Sequence, residues 1–272
     1  MNTPKETFEK VSEAAKRKIK MGFTKTLILA VAAGAFIAFA ASASSTAIHL
    51  MPNTGLAKSL AGALFATGLM MVVFFGAELF TGNMLITISV LKKESKLRGL
   101  TRNWMIVYLG NLIGSLIIAF LIFFSKQGNM SDGALGAFTI KTALAKVQLD
   151  FIPAVALGIL CNWLVCMAVW MAFAAKDATG KIWGIFFPIW IFITMGLEHS
   201  VANMYYIPAG ILLKSDSKFV GLLMDSGISE QALAGLNWGS FLYKNLLPVT
   251  LGNIIGGAVF VAMFAFIAYK KD

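Results

Sequence analysis

At 272 residues the chain is sized for one domain or two small ones, and it is 58% hydrophobic and only 13% charged, with a mean hydropathy of +0.78. Soluble domains sit nearer half apolar and a quarter charged, so a soluble enzyme, a disordered chain and a fibre are excluded, and 20-residue apolar runs exclude a β-barrel. The formal net charge of +10 would point to nucleic acid in a soluble protein; here Lys and Arg gather between apolar runs, where membrane topology places them, and no nucleic-acid partner is expected.

Residues 1–25 are polar and basic. Thr3, Pro4 and Glu6 read as a helix start, with a capping threonine, a proline in the first turn and a capping-box glutamate. Phe8, Val11, Ala15 and Ile19 follow at spacings of three and four, opposite Lys10, Lys16, Arg17, Lys18 and Lys20. That pattern predicts a basic amphipathic helix lying on the cytoplasmic membrane face, free to gate a pore or to contact a cytoplasmic enzyme. The stretch before Thr26 is too long and too acidic for a secretory leader.

Six apolar regions follow, at roughly 26–49, 56–91, 100–125, 148–175, 182–213 and 241–269. The second and fifth would reach about 54 and about 48 Å as straight helices, well past the ~30 Å of hydrocarbon. Each is interrupted by a polar, glycine-containing stretch, 76–83 and 196–203, so both are expected to be broken helices. The expected fold is therefore an all-α integral membrane protein with six transmembrane helices. Its six-helix membrane domain spans 26–269, with a short C-terminus at 270–272. With six crossings both ends share a side. That side holds 16 of the 23 Lys and Arg, which makes it cytoplasmic. Cys161 and Cys166 lie in one apolar run and read as small core side chains.

The two interruptions match each other. Gly76, Glu78, Asn83 and Met84 align with Gly196, Glu198, Asn203 and Met204 at an offset of 120, and Gly110-Asn111 aligns with Gly252-Asn253 at an offset of 142. Three spans per half require the halves, about 26–125 and 148–269, to sit inverted across the bilayer, and paired broken helices in inverted repeats point to a transport path. Half-helix ends aim unpaired N–H groups and positive dipoles at the path, which favours a small anion. A bare carboxylate there would repel it, so Glu78 and Glu198 are expected to brace the loops, and Asn83 and Asn203 to brace them or line the pore. His199 stands in the second interruption, where it is placed to titrate near neutral pH and exchange a proton with a weak acid.

On these residues the chain resembles the formate–nitrite transporter family over essentially its whole length. The run Glu198-His199-Ser200-Val201-Ala202-Asn203-Met204 and the stretch Pro248-Val249-Thr250 before Gly252-Asn253 carry the likeness. The resemblance implies an aquaporin-like protomer in a homopentamer, with one pore each, passing formate, nitrite, hydrosulfide or similar small monovalent anions across the lipid bilayer, with no cofactor. It implies that His199 is the central histidine, that Thr81 faces it, that Lys146 gathers anions in the extracytoplasmic approach, and that Asn162 and Asn203 lie near the centre. Phe65, Leu69, Phe80, Val165 and Phe192 fall at apolar constrictions, with Leu79 adjacent. Gln148 makes the approach less positive than in many relatives.

Other classes fit less well. A neutral-solute channel would carry Asn-Pro-Ala pairs, and Met84 and Met204 stand where those prolines belong. An embedded enzyme lacks support: there is no His-Glu-x-x-His metal pair, and no nucleophile elbow surrounds Ser200. A purely structural role would leave the two costly interruptions without a path to line.

Overall fold

The computed structural model describes residues 1–270, and the regular structure among the described residues is helical. Of the expected C-terminus 270–272, positions 271–272 lie outside the described residues. Helix α1 (Pro4–Lys20) starts as its sequence dictates: Thr3 Oγ1 accepts from Glu6 N–H at 3.2 Å and Glu6 Oε2 accepts from Thr3 N–H at 2.7 Å. Its apolar stripe, however, does not face lipid. Phe8, Val11 and Ala15 are buried against the helical bundle, because the bundle leaves an apolar hollow that these side chains fill.

Ion pairs and hydrogen bonds fasten α1 along its length. Asn2 N–H donates to the Ala174 carbonyl at 2.7 Å, Lys92 Nζ meets Glu9 at 2.7 Å, and Ser12 Oγ donates to Glu94 at 2.8 Å. Burial pushes the Glu94 carboxyl up, but Ser12, Lys92 and Lys16 outweigh it and hold the group below the usual carboxylate range. A depressed carboxyl stabilises docking above its ordinary pKa of 4.5 and loses that contribution as pH falls through the lower, docked value. Spin-label distances between α1 and the 92–96 loop should therefore hold from neutral pH to about 5 and lengthen only below 4.5; lengthening near pH 6 would contradict this.

The membrane-length helices are α2 (Phe23–Ile48) and α3 (Thr54–Phe75), then, beyond a 3₁₀ turn at Gly82–Ile86 and the short α4 (Thr87–Leu91), α5 (Leu97–Phe124). Helix α6 (Ala134–Val147) leads into α7 (Phe151–Ala174). Next come α8 (Ala178–Thr194), α9 (Ser200–Leu213), α10 (Ser217–Asp225) and α11 (Glu230–Ala234), and finally α12 (Trp238–Tyr269). Five of these, α2, α3, α5, α7 and α12, are long and apolar enough to cross a membrane; α8, α9 and 82–91 are shorter apolar helices. The protein is thus a multi-pass helical membrane protein. Helix α6 is not anticipated by the apolar pattern. It forms because 134–147 is rich in Ala and Leu, good helix formers, although two lysines interrupt its apolarity.

Helix α2 packs beside α3 and α5, α7 beside α8 and α12, and α3 against α8. The closest crossings rest on glycine. A Cβ at Gly114 of α5 would strike the Val31 carbonyl of α2, and one at Gly256 of α12 would strike the Ile159 carbonyl of α7. Helix α12 accommodates its approach with π-helical turns at Phe241–Leu246 and Ile255–Met263. Gly256→Val should push α12 off α7 and cost about 1–3 kcal/mol or more; an unchanged thermal midpoint in detergent would show that the helices can yield.

Candidate functional site

Two segments without helical backbone lie between α3 and the 3₁₀ turn (76–81) and between α8 and α9 (195–199). Each carries at or next to its start a glycine in the left-handed region, Gly76 at φ 73° and Gly196 at φ 70°, which ends the preceding helix without a Cβ penalty. The closing bonds correspond. Ala77 N–H donates to Val72 O at 2.9 Å and Leu197 N–H to Phe192 O at 3.1 Å.

Buried asparagines satisfy the backbone these segments expose. Asn111 of α5 accepts from Phe80 N–H at 2.9 Å and donates to the Glu78 and Ala30 carbonyls. Asn253 of α12 accepts from Ser200 N–H at 2.9 Å and donates to the Glu198 and Gly158 carbonyls. One amide thus ties a gap to two helices in each case. Asn253→Leu should strand those groups and cost several kcal/mol, about 1–3 for each unsatisfied one; a folded, fully stable variant would refute this bracing role.

The glutamates brace through side chains. Glu78 Oε2 accepts from Asn83 Nδ2 at 2.7 Å, and Asn83 Nδ2 also reaches Asn103 Oδ1 at 2.9 Å. Glu198 Oε2 accepts from Asn203 Nδ2 at 2.6 Å, and Asn203 Nδ2 reaches Asn245 Oδ1 at 2.7 Å. A lysine completes each cluster: Lys146 of α6 lies 2.8 Å from Glu198 Oε1, and Lys18 of α1 lies 2.9 Å from Glu78 Oε1. Lys18 also donates to Asn83 Oδ1 at 2.7 Å.

The clusters differ in how the lysine's backbone contributes. The Lys146 carbonyl accepts from Asn245 Nδ2 at 2.9 Å, whereas Asn103 Nδ2 is buried with no partner among the described residues, because α1 brings only a side chain to that cluster.

Between the clusters, Thr81 Oγ1 lies 2.9 Å from His199 Nε2. His199 is the N-cap of α9, and its Nδ1 accepts from Ala202 N–H at 3.1 Å. A backbone N–H can only donate, so Nδ1 carries no proton and the neutral ring holds its hydrogen on Nε2. That N–H donates to Thr81 Oγ1, which leaves the threonine hydroxyl hydrogen free for another acceptor. Asn162 of α7 ties this site to α12: its Nδ2 donates to the Thr81 carbonyl at 3.2 Å and to the Asn253 carbonyl at 2.6 Å.

Apolar side chains enclose this pair. Phe192 lies 6.0 Å from the His199 ring and 5.6 Å edge-on from Phe65; Phe80 packs on Tyr108 at 4.8 Å. Phe65, Leu69, Leu79, Phe80, Val165 and Phe192 are all buried. A cavity of about 410 Å³ opens on the α1 side, lined by Lys18, Leu69, Glu78, Leu79, Asn83 and Lys181 among others.

Sequence reasoning did not single out Lys18, Asn103, Asn111, Asn245 or Asn253 as site residues. The asparagines had a signal: Asn103 and Asn245, like Asn111 and Asn253, are 142 residues apart. Lys18 had none, since its cluster partners are 60 or more residues away.

Known proteins resemble this chain over nearly its whole length. The family described as Formate/nitrite transporter matches residues 5–267. The chain is 38% identical to a probable formate transporter of Methanothermobacter thermautotrophicus, covering 99% of this chain and 98% of the relative. It is 37% identical to the formate channel FocA of Haemophilus influenzae, with 96% and 93% covered. A solved pentameric formate channel with formate bound superposes with a TM-score of 0.80 at 38% identity, covering 92% of this chain and 98% of that one. An FNT family ion channel superposes with a TM-score of 0.81 at 28% identity, covering 96% and 98%.

Proposed function

This chain belongs to the formate/nitrite transporter family, and from that premise we propose that it is a membrane channel for small monovalent anions of weak acids, formate and nitrite first and hydrosulfide next. It is not an enzyme. In this reading the protein is a homopentamer with one pore per protomer. The protomer has six spans in two inverted halves, each with a broken helix, and both termini are cytoplasmic. The channel domain is 26–269, and α1 guards the cytoplasmic mouth. The likeness to a pentameric channel with formate bound supports the assembly and the substrate, and the matched bonding of the two gaps supports the repeat.

The observation that carries this reading is the Thr81–His199 hydrogen bond, a polar pair enclosed by apolar rings. An anion crossing Phe65, Leu69, Phe80, Val165 and Phe192 loses most of its hydration, at a cost of many kcal/mol if nothing replaces the water. The free Thr81 hydroxyl hydrogen and the N-terminal end of α9 supply that replacement without a fixed full charge. Asn203 and Asn83 hold the gap ends while Glu78 and Glu198 stay occupied with amides and lysines, so neither presents an uncompensated charge to the permeant. Lys146 gathers anions at the outer mouth, though its ion pair with Glu198 tempers the attraction.

We propose that proton exchange uses the same contacts. A proton arriving on the ring must sit on Nδ1, displacing Ala202 N–H from its cap at a cost of about 0.5–2 kcal/mol. The imidazolium then passes its Nε2 hydrogen to Thr81 Oγ1 while the Thr81 hydroxyl proton moves to the anion. An O–H bond forms on formate, and the ring is left neutral with its hydrogen on Nδ1. Formic acid crosses the constrictions uncharged. Without that transfer the same path conducts the anion.

Proteoliposome flux of formate, nitrite, hydrosulfide, lactate and chloride at two pH values tests this. Formate and nitrite should move fastest and depend on pH. Chloride moving as fast as formate, or no anion moving, would sink the reading.

A further inference from the structure

Resting on the reading of Thr81 and His199 as the central pair, we infer that the thiol of Cys166 is a positioning group, holding the Thr81 carbonyl jointly with Asn162 so that the Thr81 hydroxyl stays against the histidine. The Cys166 Sγ lies 3.4 Å from the Thr81 carbonyl oxygen, and Asn162 Nδ2 lies 3.2 Å from the same atom. Asn162 and Cys166 are four residues apart on α7, so they project from one face. Both are fully buried. The remaining donor to that carbonyl, Met84 N–H of the 3₁₀ turn, is long at 3.4 Å. The peptide plane after Thr81 is therefore held mainly from α7.

That matters because Thr81 sits where regular helix has stopped. It caps the 3₁₀ turn without any side-chain cap bond, so its hydroxyl has no local partner and is free to reach His199 across the chain. A carbonyl held by two donors from one rigid helix fixes the peptide orientation. The side chain on the same residue is then fixed toward α9.

Helix α12 is shaped around this clamp. Gly257, inside its second π-helical stretch, lies so near that a Cβ there would come within 2.8 Å of Cys166 Sγ and 2.7 Å of Asn162 Nδ2. A side chain at 257 would have to displace Met84, whose Cβ would lie 2.5 Å from the added one, as well as the two donors. Asn162 also bonds the Asn253 carbonyl, and Asn253 holds the Ser200 amide next to His199. The clamp thus joins the threonine and histidine gaps through one chain of contacts. The thiol is a weak donor, and the effect expected of it is modest.

Three substitutions separate its contributions. Cys166→Val keeps the bulk and removes the donor, Cys166→Ala removes both, and Cys166→Ser restores an O–H donor. Formate flux in proteoliposomes should fall roughly threefold in the Val and Ala variants, the size of one weak hydrogen bond. The loss should fall on the maximal rate with the half-saturating concentration unchanged, and the pH profile should shift. The Ser variant should regain most of the rate.

Infrared spectra supply a readout independent of transport. In a Cys161→Ala background a single S–H stretch remains, and it should appear at the lower frequency of a thiol bonded to a carbonyl. Val or Ala variants that fold, judged by gel filtration, and keep the wild-type rate and pH profile would overturn the proposal, as would an S–H stretch at the unbonded frequency. If Cys166→Val fails to fold, the Ala and Ser pair decides. Failure of the wild type to carry any anion would instead strike at the central pair itself.

Discussion

Thr81→Val should cut formate flux by roughly 10- to 100-fold, the range set by losing one hydrogen bond to a charged solute. Valine matches threonine in shape, and Thr81 is fully buried, so the apolar rings should keep their positions. Two things disappear together: the acceptor for His199 Nε2–H and the hydroxyl hydrogen offered to the anion. The ring would then offer its N–H directly, from farther back and with no relay. His199→Phe removes the relay at its other end and also the cap on Ala202 N–H. It should leave a pore without pH-dependent flux. Both variants should still assemble, because the gaps are held by Asn111 and Asn253 rather than by this pair. Near-normal formate flux through Thr81→Val, or an unchanged pH profile in His199→Phe, would remove the pair from the mechanism.

The division between what the sequence discloses and what it conceals follows the range of the forces involved. Apolar runs report burial in lipid directly, so the long helices can be read from composition. Gly76 and Gly196 mark helix ends because a left-handed residue almost demands glycine. The capping box of α1 is local and equally readable. Where α1 docks is not local. Its stripe fits a membrane surface as well as a protein hollow, and only the bundle's shape decides between them.

Lys18 and Cys166 illustrate the same limit at the site. A lysine on a polar helix and a cysteine in an apolar run are ordinary in sequence; each becomes notable through a partner more than 50 residues away. Lys146 is the instructive middle case. Its place in the approach came from resemblance, but its 2.8 Å pairing with Glu198 is a fact of geometry, and it reduces the free positive charge at that end of the bundle.

Lys146→Met should destabilise the protein by about 3–5 kcal/mol, the cost of leaving a buried charge without its partner. The Glu198 side chain is 7% exposed and would keep only the amides of Asn203 and Asn245. Double replacement with Glu198→Gln should recover most of the stability, since a neutral amide at 198 can still accept from Asn203. Lys18→Met poses the same chemical insult to Glu78, whose side chain is 3% exposed, yet the expected loss is smaller, about 1–2 kcal/mol, because water can rehydrate that carboxylate. The difference lies in what carries each lysine. Lys146 belongs to α6, which is packed against α9 and joined to α7 by a short turn, so nothing there can move aside. Lys18 arrives on α1, beside a cavity of about 410 Å³ through which solvent can reach Glu78 once the ammonium is gone. Thermal midpoints of the two single variants and the double variant, measured in one detergent, test the order. Equal losses for Lys18→Met and Lys146→Met would mean that α1 holds its cluster as permanently as α6 holds the other, and that the N-terminal helix is a fixed part of the bundle.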